Sequence, residues 1–171
     1  MMTPVTIAVS ACLLGENVRY DGGHKHDPNI TAALGGHFKL VPVCPEVGCG
    51  LPTPREVMRL EGDPAAPHLM TCHTRIDRTG QMLGYCEAKV IELGNENISG
   101  FIFKERSPSC GLTSVPLHDS ASERFTVGLF ANAVVRSFQL MPVAEAERLK
   151  EPLVLEKFIE SVNQYRRSGI S

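Results

Sequence analysis

The stretch Val41-Pro-Val-Cys-Pro-Glu-Val-Gly-Cys-Gly-Leu-Pro-Thr-Pro-Arg55 determines how the rest of the chain is interpreted. It begins as the apolar end of a predicted strand and continues with a thiol, a carboxylate, two glycines and a second thiol. Its four prolines remove backbone donors and fix φ, so we expect a stiff loop here rather than a helix. A rigid loop that presents Cys44, Glu46 and Cys49 at the end of a strand is a suitable place to hold a metal.

Two other segments also combine a predicted strand with a thiol. Val5–Val9 is apolar or β-branched at every position, which is typical of a strand covered on both faces, and Cys12 follows it. Ser99–Lys104 is predicted to be a further strand, and it leads into the segment that contains Cys110. Because ligands bind at the carboxyl ends of the strands of a parallel sheet, we expect these two thiols and Cys44 to converge at one edge.

The remaining pattern alternates between predicted strands and helices. Two further strands are predicted at Phe38–Val43 and Leu140–Val143. Helical spacing, caps and stop signals predict helices at Pro28–Leu34, Arg78–Leu93, Gly128–Phe138, Glu145–Lys150 and Pro152–Tyr165. This order favours a single α/β domain over residues 1–171, with a mostly parallel sheet and helices on both faces.

Three segments are predicted to lie outside this alternation. Glu61–Pro67 is rich in turn residues, so we expect a connector there. His68–Arg75 alternates weakly and is predicted to be an edge strand. Leu112–Arg124 is polar and is predicted to form either a hairpin or a surface loop.

Bulk composition gives no support to several classes of protein. The net charge of −2 over 171 residues indicates neither a nucleic-acid-binding nor a membrane-surface protein. No apolar run approaches the roughly 20 residues of a membrane helix, and the N-terminus lacks a basic segment followed by a long apolar one. We therefore expect no membrane partner and a cytoplasmic location. Six cysteines in a reducing compartment favour metal or redox chemistry over disulfides.

The cysteine spacing by itself is weak evidence for a metal. No Cys-x2-Cys pair occurs, so the thiols do not form a zinc-finger pattern. Thiolates from loops are the usual ligands of iron–sulfur clusters, but any one free cysteine can equally be a small buried apolar side chain. For Cys72 and Cys86, which lie within a strand-like and a helix-like pattern, we expect the buried role.

Polar side chains beside the thiols are candidate catalytic groups. Glu46 lies two positions from a thiol and could move protons near a metal, or it could be a solvated loop residue. Ser107 and Ser109 flank a proline beside Cys110. Their hydroxyls could orient a water or a substrate carbonyl, and Ser109 could instead cap a helical turn.

The loop after the first strand carries groups suited to a planar polar ligand. In it, Asp21 could accept a hydrogen bond, Arg19 could donate one and Tyr20 could stack. Asp21 also begins an Asp-Gly-Gly turn signal, which is the simpler explanation. Arg55 could bind an anion or form a surface salt bridge.

Three motifs together resemble the thiouracil desulfidase family. They are Ser-Ala-Cys12-Leu-Leu-Gly with Val-Arg-Tyr-Asp-Gly, Pro-Val-Cys44-Pro-Glu-Val with Gly-Leu-Pro-Thr-Pro-Arg, and Ser107-Pro-Ser-Cys-Gly. They occur in the family's order, and the resemblance runs from about residue 6 to residue 143, which is nearly the whole chain. The resemblance implies a Rossmann-like fold and an enzyme that hydrolyses a C–S bond without redox change.

The same resemblance implies a cofactor and roles for named residues. It implies a [4Fe–4S] cluster held by three cysteines, whose open iron takes sulfur from a thiolated pyrimidine and holds it as hydrosulfide. Cys12 and Cys110 are implied ligands, and the third is Cys44 or Cys49. Residues matching Glu46 and Ser107 position the water and transfer its proton in the family.

The implied substrate is a small thiolated pyrimidine, either thiouracil or thiouridine, which gives uracil or uridine and hydrogen sulfide. Relatives that resemble tRNA desulfidases carry an extra C-terminal domain, so tRNA is the less favoured partner here. The alternative function is an electron-transfer or redox-sensing iron–sulfur protein that uses four cysteines. A zinc-stabilised fold is a further alternative, and a plain dinucleotide-binding protein is disfavoured because no Gly-x-Gly-x-x-Gly follows the first strand.

Overall fold

The structure is a computed structural model that describes residues 3–119 and 124–169. Its strands are β1 (Thr6–Ser10), β2 (Lys39–Val43), β3 (Met58–Asp63), β4 (Ala66–Thr71), β5 (Phe101–Phe103), β6 (Val115–His118), β7 (Arg124–Thr126) and β8 (Val143–Glu145). Its α-helices are α1 (Pro28–Leu34), α2 (Pro45–Gly48), α3 (Thr79–Asn95), α4 (Leu129–Ser137) and α5 (Pro152–Ser168). Two 3₁₀ segments complete the described part of the chain, at Ala11–Leu14 and Ala146–Lys150.

The main sheet contains four parallel strands in the order β2-β1-β5-β8. In the centre, Ala8 of β1 pairs with Val41 on one side and with Phe101 on the other. Residues Ile7, Ala8 and Val9 are completely buried, as the apolar run predicts for a strand covered on both faces. The three strands that precede the candidate thiols are therefore neighbours in the sheet.

Helices cover both faces of the main sheet, and each face has its own apolar core. On one face, Phe101 and Phe103 stack with ring centroids 4.1 Å apart, and α3 and α4 pack over them. On the other face, Ile7, Val9 and Ile102 meet α1 and α5. The alternation along β1 and β5 assigns successive side chains to opposite faces, and the predicted α/β fold with a mostly parallel sheet is confirmed.

A second sheet, in the order β4-β3-β6-β7, was not anticipated in full. β3 and β4 form an antiparallel hairpin that turns between Asp63 and Ala66, so the predicted connector Glu61–Pro67 is wrong. The polar and glycine-rich residues looked like a loop because only one face of this hairpin is buried, through Leu60 and Leu69. The edge strand predicted at His68–Arg75 is confirmed. It is β4, which lies at the edge of the second sheet and spans Ala66–Thr71.

The hairpin option for Leu112–Arg124 is confirmed, because β6 and β7 pair antiparallel from Val115↔Thr126 to Leu117↔Arg124. Part of that predicted segment, residues 120–123, lies outside the described residues. The predicted fourth strand lies further along the chain than expected, at Val143–Glu145, where it pairs with β5. Within residues 3–119 and 124–169, no helix has the length and apolar character needed to cross a bilayer.

The segment after β2 begins with a helical turn, which corrects the prediction of a loop without helix. α2 spans Pro45–Gly48, with Cys44 at its N-cap and Pro45 in the first turn. A proline is tolerated at this position because its missing N–H would have no partner within the helix. Pro42 lies in β2, and Pro52 and Pro54 lie in the irregular part that follows α2.

The β3–β4 hairpin carries an ion-pair network whose effect on stability depends on pH. Glu61 accepts from Arg59 at 2.7 Å and from both terminal nitrogens of Arg75 at 2.5 and 2.6 Å. The hydrogen bonds and charges of Arg75, and then those of Arg59, lower the pKa of Glu61 from 4.5 to about 2. A carboxyl whose pKa is depressed on folding stabilises the protein above its unfolded pKa, and this contribution is lost as the pH falls through its folded pKa.

We predict that Glu61→Gln lowers the melting temperature at neutral pH by a few degrees relative to the unmodified protein. The difference should be constant above about pH 5 and should shrink as the pH falls from about 4.5 towards about 2. Thermal unfolding followed by circular dichroism across this range is the measurement. Glu87→Gln, on the exposed face of α3, is the matched control, and an equal pH dependence for both variants would contradict the role of the network.

Candidate functional site

A cavity of about 470 Å³ opens at the carboxyl ends of β1, β2 and β5. Three thiols line it, those of Cys12, Cys44 and Cys110. They come from residues far apart in sequence, and the neighbouring positions of the three parallel strands bring them together. The structure therefore places these three thiols at one edge of the sheet, as the sequence predicts.

Cys12 lies in the 3₁₀ segment that follows β1, where only 8% of its surface is exposed. Burial raises the pKa of its thiol, and the positive charges of Arg19 and Lys104 partly offset this. The site thus provides a buried thiol with cationic neighbours that favour its thiolate form.

Cys44 is the N-cap residue of α2, and its side chain is half-buried. Burial raises the pKa of this thiol, and the nearby backbone N–H groups of Val47 and Glu46 partly offset the rise. The helical turn therefore begins at the residue that carries the thiol.

Cys110 is buried in the loop between β5 and β6, and burial raises the pKa of its thiol well above the usual value. The Ser107 hydroxyl oxygen accepts from the backbone N–H groups of Ser109 at 3.2 Å and of Cys110 at 3.1 Å. Ser107 therefore caps this turn, whereas the sequence suggested Ser109 for that role.

The start of α4 fixes the Cys110 loop from the other side. The N–H of Leu129 donates to the Pro108 carbonyl, and the N–H groups of Phe130 and Ala131 donate to the Ser109 carbonyl, all at 3.0 Å. A Cβ added at Gly128 would lie 2.6 Å from the carbonyl group of Ser109. Only glycine allows this close approach, so the helix terminus and the loop form one rigid unit.

Ser10 joins two of the strand ends and was missed by the sequence analysis. It is 2% exposed, and its hydroxyl accepts from the backbone N–H of Lys104 at 3.0 Å. Its hydroxyl also partly offsets the rise in the pKa of the Cys110 thiol. The only sequence signal for it is a serine at the end of an apolar strand, where a buried hydroxyl needs a partner.

Glu46 lines the same cavity and has both carboxylate oxygens engaged. Oε1 accepts from Arg55 Nε at 2.9 Å, and Oε2 accepts from Ser109 Oγ at 3.0 Å. The side chains of Glu46 and Arg55 are 14% and 7% exposed, so this salt bridge is buried rather than a surface pair. The serine that contacts Glu46 is Ser109, whereas the resemblance implied a pair with Ser107, which lines the cavity nearby.

Cys49 lies behind the cavity wall and is absent from its lining. Its thiol donates to the Glu46 carbonyl at 3.2 Å, and its own carbonyl accepts from Gln81 of α3 at 2.8 Å. Cys86 is buried in α3 at 2% exposure, which confirms the buried role predicted for it. Cys72 is half-buried just after β4.

The loop after Cys12 contributes Arg19 and Tyr20 to the cavity wall. Tyr20 is 41% exposed, and the guanidinium carbon of Arg19 lies 5.7 Å from its ring centroid. Asp21 is not among the residues that line the cavity, and its side chain accepts from the Gly23 N–H at 2.9 Å, as the turn interpretation requires. Cavity-lining charges that the sequence analysis did not propose include Lys25 and the Lys104–Glu105 pair.

The donor set suits an iron–sulfur cluster. Within residues 3–119 and 124–169, no three His, Cys, Asp or Glu side chains are close enough to hold one metal ion. The three thiols surround a shared space of about 470 Å³, and three thiolates are the donors that iron–sulfur clusters use. The positive charges of Arg19 and Lys104 near Cys12 favour its thiolate form, which is the form that ligates such a cluster.

Comparisons with known proteins identify the family and the fold. The family model described as 2-thiouracil desulfurase matches residues 7–146. An uncharacterised protein of Bacillus subtilis, YbbK, is 36% identical over 110 residues, which cover 61% of this chain and 72% of that protein. The solved structure of the [4Fe-4S]-dependent thiouracil desulfidase TudS superposes with a TM-score of 0.70 at 32% identity, and covers 90% of this chain and 99% of its own.

The close approach at Gly128 leads to a test of the site's rigidity. Gly128→Ala should reduce the free energy of unfolding by about 1–3 kcal/mol, because its Cβ overlaps the backbone of the Cys110 loop. Chemical denaturation measures this change. Gly84→Ala on α3, where an added Cβ meets nothing within 4 Å, should be neutral or stabilising. Equal effects of the two substitutions would show that the loop and α4 are not tightly apposed.

Proposed function

Because the chain belongs to the 2-thiouracil desulfurase family and is an enzyme of the thiouracil desulfidase type, we propose that it hydrolyses the C–S bond of thiolated pyrimidines without net redox change. Thiouracil or thiouridine and water would give uracil or uridine and hydrogen sulfide. The observation that carries this proposal is the cavity at the sheet edge, where three thiols and the Glu46 carboxylate face one space.

Cys12, Cys44 and Cys110 are the proposed ligands of a [4Fe–4S] cluster. All three line the cavity, whereas Cys49 does not. Since a cluster of this type has four irons and the protein provides three thiolates, one iron is left without a protein ligand. When bound, the cluster would supply a thiophilic Lewis acid that polarises the C=S bond of the substrate.

Glu46 is the proposed general base that accepts a proton from the attacking water. Arg55 and Ser109 each hold one of its oxygens, so the carboxylate is oriented before substrate arrives. Ser107 accepts hydrogen bonds from two backbone N–H groups through its oxygen. Its own O–H can therefore donate into the cavity, towards the water or the developing negative charge.

Arg19 and Tyr20 are the proposed substrate-binding residues, with Asp21 supporting their loop through its turn. The Tyr20 ring offers an aromatic face on which a pyrimidine can stack. Arg19 offers N–H donors, and its Nε is buried without a hydrogen-bond partner among the described residues. We propose a free base or nucleoside as the substrate rather than tRNA, because these groups lie in the wall of a concave cavity.

An electron-transfer or redox-sensing iron–sulfur protein is the rival function. It would use a fourth thiol, and Cys49 is the nearest candidate by sequence. The position of Cys49 outside the cavity lining disfavours that function. An electron-transfer protein would also not need a carboxylate held by Arg55 and Ser109 at the cavity wall.

We further propose that residues 1–171 form a single domain of this type that works in the cytoplasm. The family model and the TudS superposition cover most of the chain. All six cysteines are free, which fits a reducing compartment.

Cysteine variants test the ligand set. After anaerobic reconstitution with iron and sulfide, Cys12→Ser, Cys44→Ser and Cys110→Ser should each lose most of the bound iron and the brown absorption, because an incomplete thiolate set binds the cluster weakly. Cys49→Ser is the matched control and should retain both. Loss of the cluster in Cys49→Ser, with retention in Cys44→Ser, would contradict the assignment.

The Glu46→Gln variant separates chemistry from cluster binding. It should retain the iron content and visible spectrum and release sulfide from 4-thiouracil about 10²–10⁴-fold more slowly, the usual contribution of a general base. Anaerobic sulfide release measures the rate. Glu87→Gln on the exposed face of α3 controls for the loss of one carboxylate. Release at the unmodified rate by Glu46→Gln would rule out the base.

A further inference from the structure

Arg55 connects two parts of the cavity wall that the sequence places far apart. Its Nε donates to the Glu46 carboxylate at 2.9 Å, and its Nη2 donates to the Val18 carbonyl at 2.8 Å. Its backbone N–H donates to the Tyr20 carbonyl at 2.8 Å. One residue therefore contacts the proposed base and both ends of the short segment that contains Arg19.

The guanidinium has little capacity left for a ligand. Its Nη1 donates to the Pro52 carbonyl at 3.3 Å and to the Thr53 hydroxyl at 3.2 Å. These bonds and the two above occupy four of the five N–H donors of an arginine side chain. The side chain is also only 7% exposed. These contacts favour a structural fork over an anion clamp, although Arg55 lies in the cavity wall.

We propose that Arg55 is a positioning residue that couples the orientation of Glu46 to the placement of the substrate loop, defined as residues 18–23. This proposal rests on the proposed function, in which Glu46 acts on water and the loop binds the pyrimidine. Through Glu46, Arg55 supports the chemical step. Through the Val18 and Tyr20 carbonyls, it holds Arg19 and Tyr20 against the cavity.

Arginine is required because the two arms of the fork point at different partners. Lysine carries one charged nitrogen, so it can keep the ion pair with Glu46 or reach the Val18 carbonyl but cannot hold both. Glutamine provides neither charge nor the second arm. Comparing arginine, lysine and glutamine at position 55 therefore separates the contact with Glu46 from the contact with the loop.

The first measurement is hydrogen exchange on the cluster-loaded protein, which does not depend on activity. The amides of Arg19 and Gly22 donate to carbonyls within the loop, at 3.1 and 2.9 Å. In Arg55→Gln these amides should exchange about tenfold faster, the ratio expected when one charge-assisted hydrogen bond is lost. Arg55→Lys should also exchange faster, because the Val18 contact is lost in favour of Glu46.

The second measurement is the split between kcat and KM for 4-thiouracil. Arg55→Gln should lower kcat and raise KM, each by about tenfold, and Arg55→Lys should recover most of kcat but not KM. In a Glu46→Gln background, Arg55→Gln should raise KM without a further fall in kcat. Arg59→Gln, which removes an arginine that pairs with Glu61 on β3, is the matched control and should change none of these values.

Three outcomes would overturn the proposal. The first is unchanged exchange at Arg19 and Gly22 in Arg55→Gln. The second is a fall in kcat of the same factor with and without the Glu46 carboxylate, since Arg55 would then act independently of it. The third is full recovery of KM by lysine. If the protein releases no sulfide from any thiolated pyrimidine, the proposed function fails, and the exchange comparison alone still decides whether Arg55 holds the loop.

Discussion

Three adjacent parallel strands that end at one edge of the sheet are the constraint on which the site depends. A hydrogen bond from the Lys104 N–H to Ser10 Oγ joins the ends of β5 and β1, and backbone pairing joins β1 to β2. Cys12, Cys44 and Cys110 follow these ends, so their positions are set by the core of the protein. A thiolate site built on such a frame keeps its spacing without needing a contiguous cysteine motif.

The start of α4 also holds one thiol-bearing segment in place. Its first N–H groups donate to the Pro108 and Ser109 carbonyls of the Cys110 loop. Gly128 makes this close approach possible because it has no side chain. The orphan N–H groups of this helix start thus fix the loop instead of being left to water.

Part of this arrangement could be predicted from the sequence. The apolar strands and the residues at their ends are enough to predict that three thiols and Glu46 lie close together, because the strands of a parallel sheet end at one edge. The second sheet was harder, because a one-sided polar hairpin such as β3–β4 resembles a turn-rich connector. The contacts of Ser10, Ser109 and Arg55 depend on loops that meet only in the folded protein, so local patterns do not reveal them.

In the proposed site, three cysteines hold a four-iron cluster and leave one iron open for the sulfur of the substrate. Mössbauer spectroscopy of anaerobically reconstituted protein, made with isotopically enriched iron, distinguishes the open iron from the other three. We predict one iron distinct from the other three, and a change in that iron alone when 4-thiouracil is added. Four irons that share one environment and ignore the substrate would contradict it.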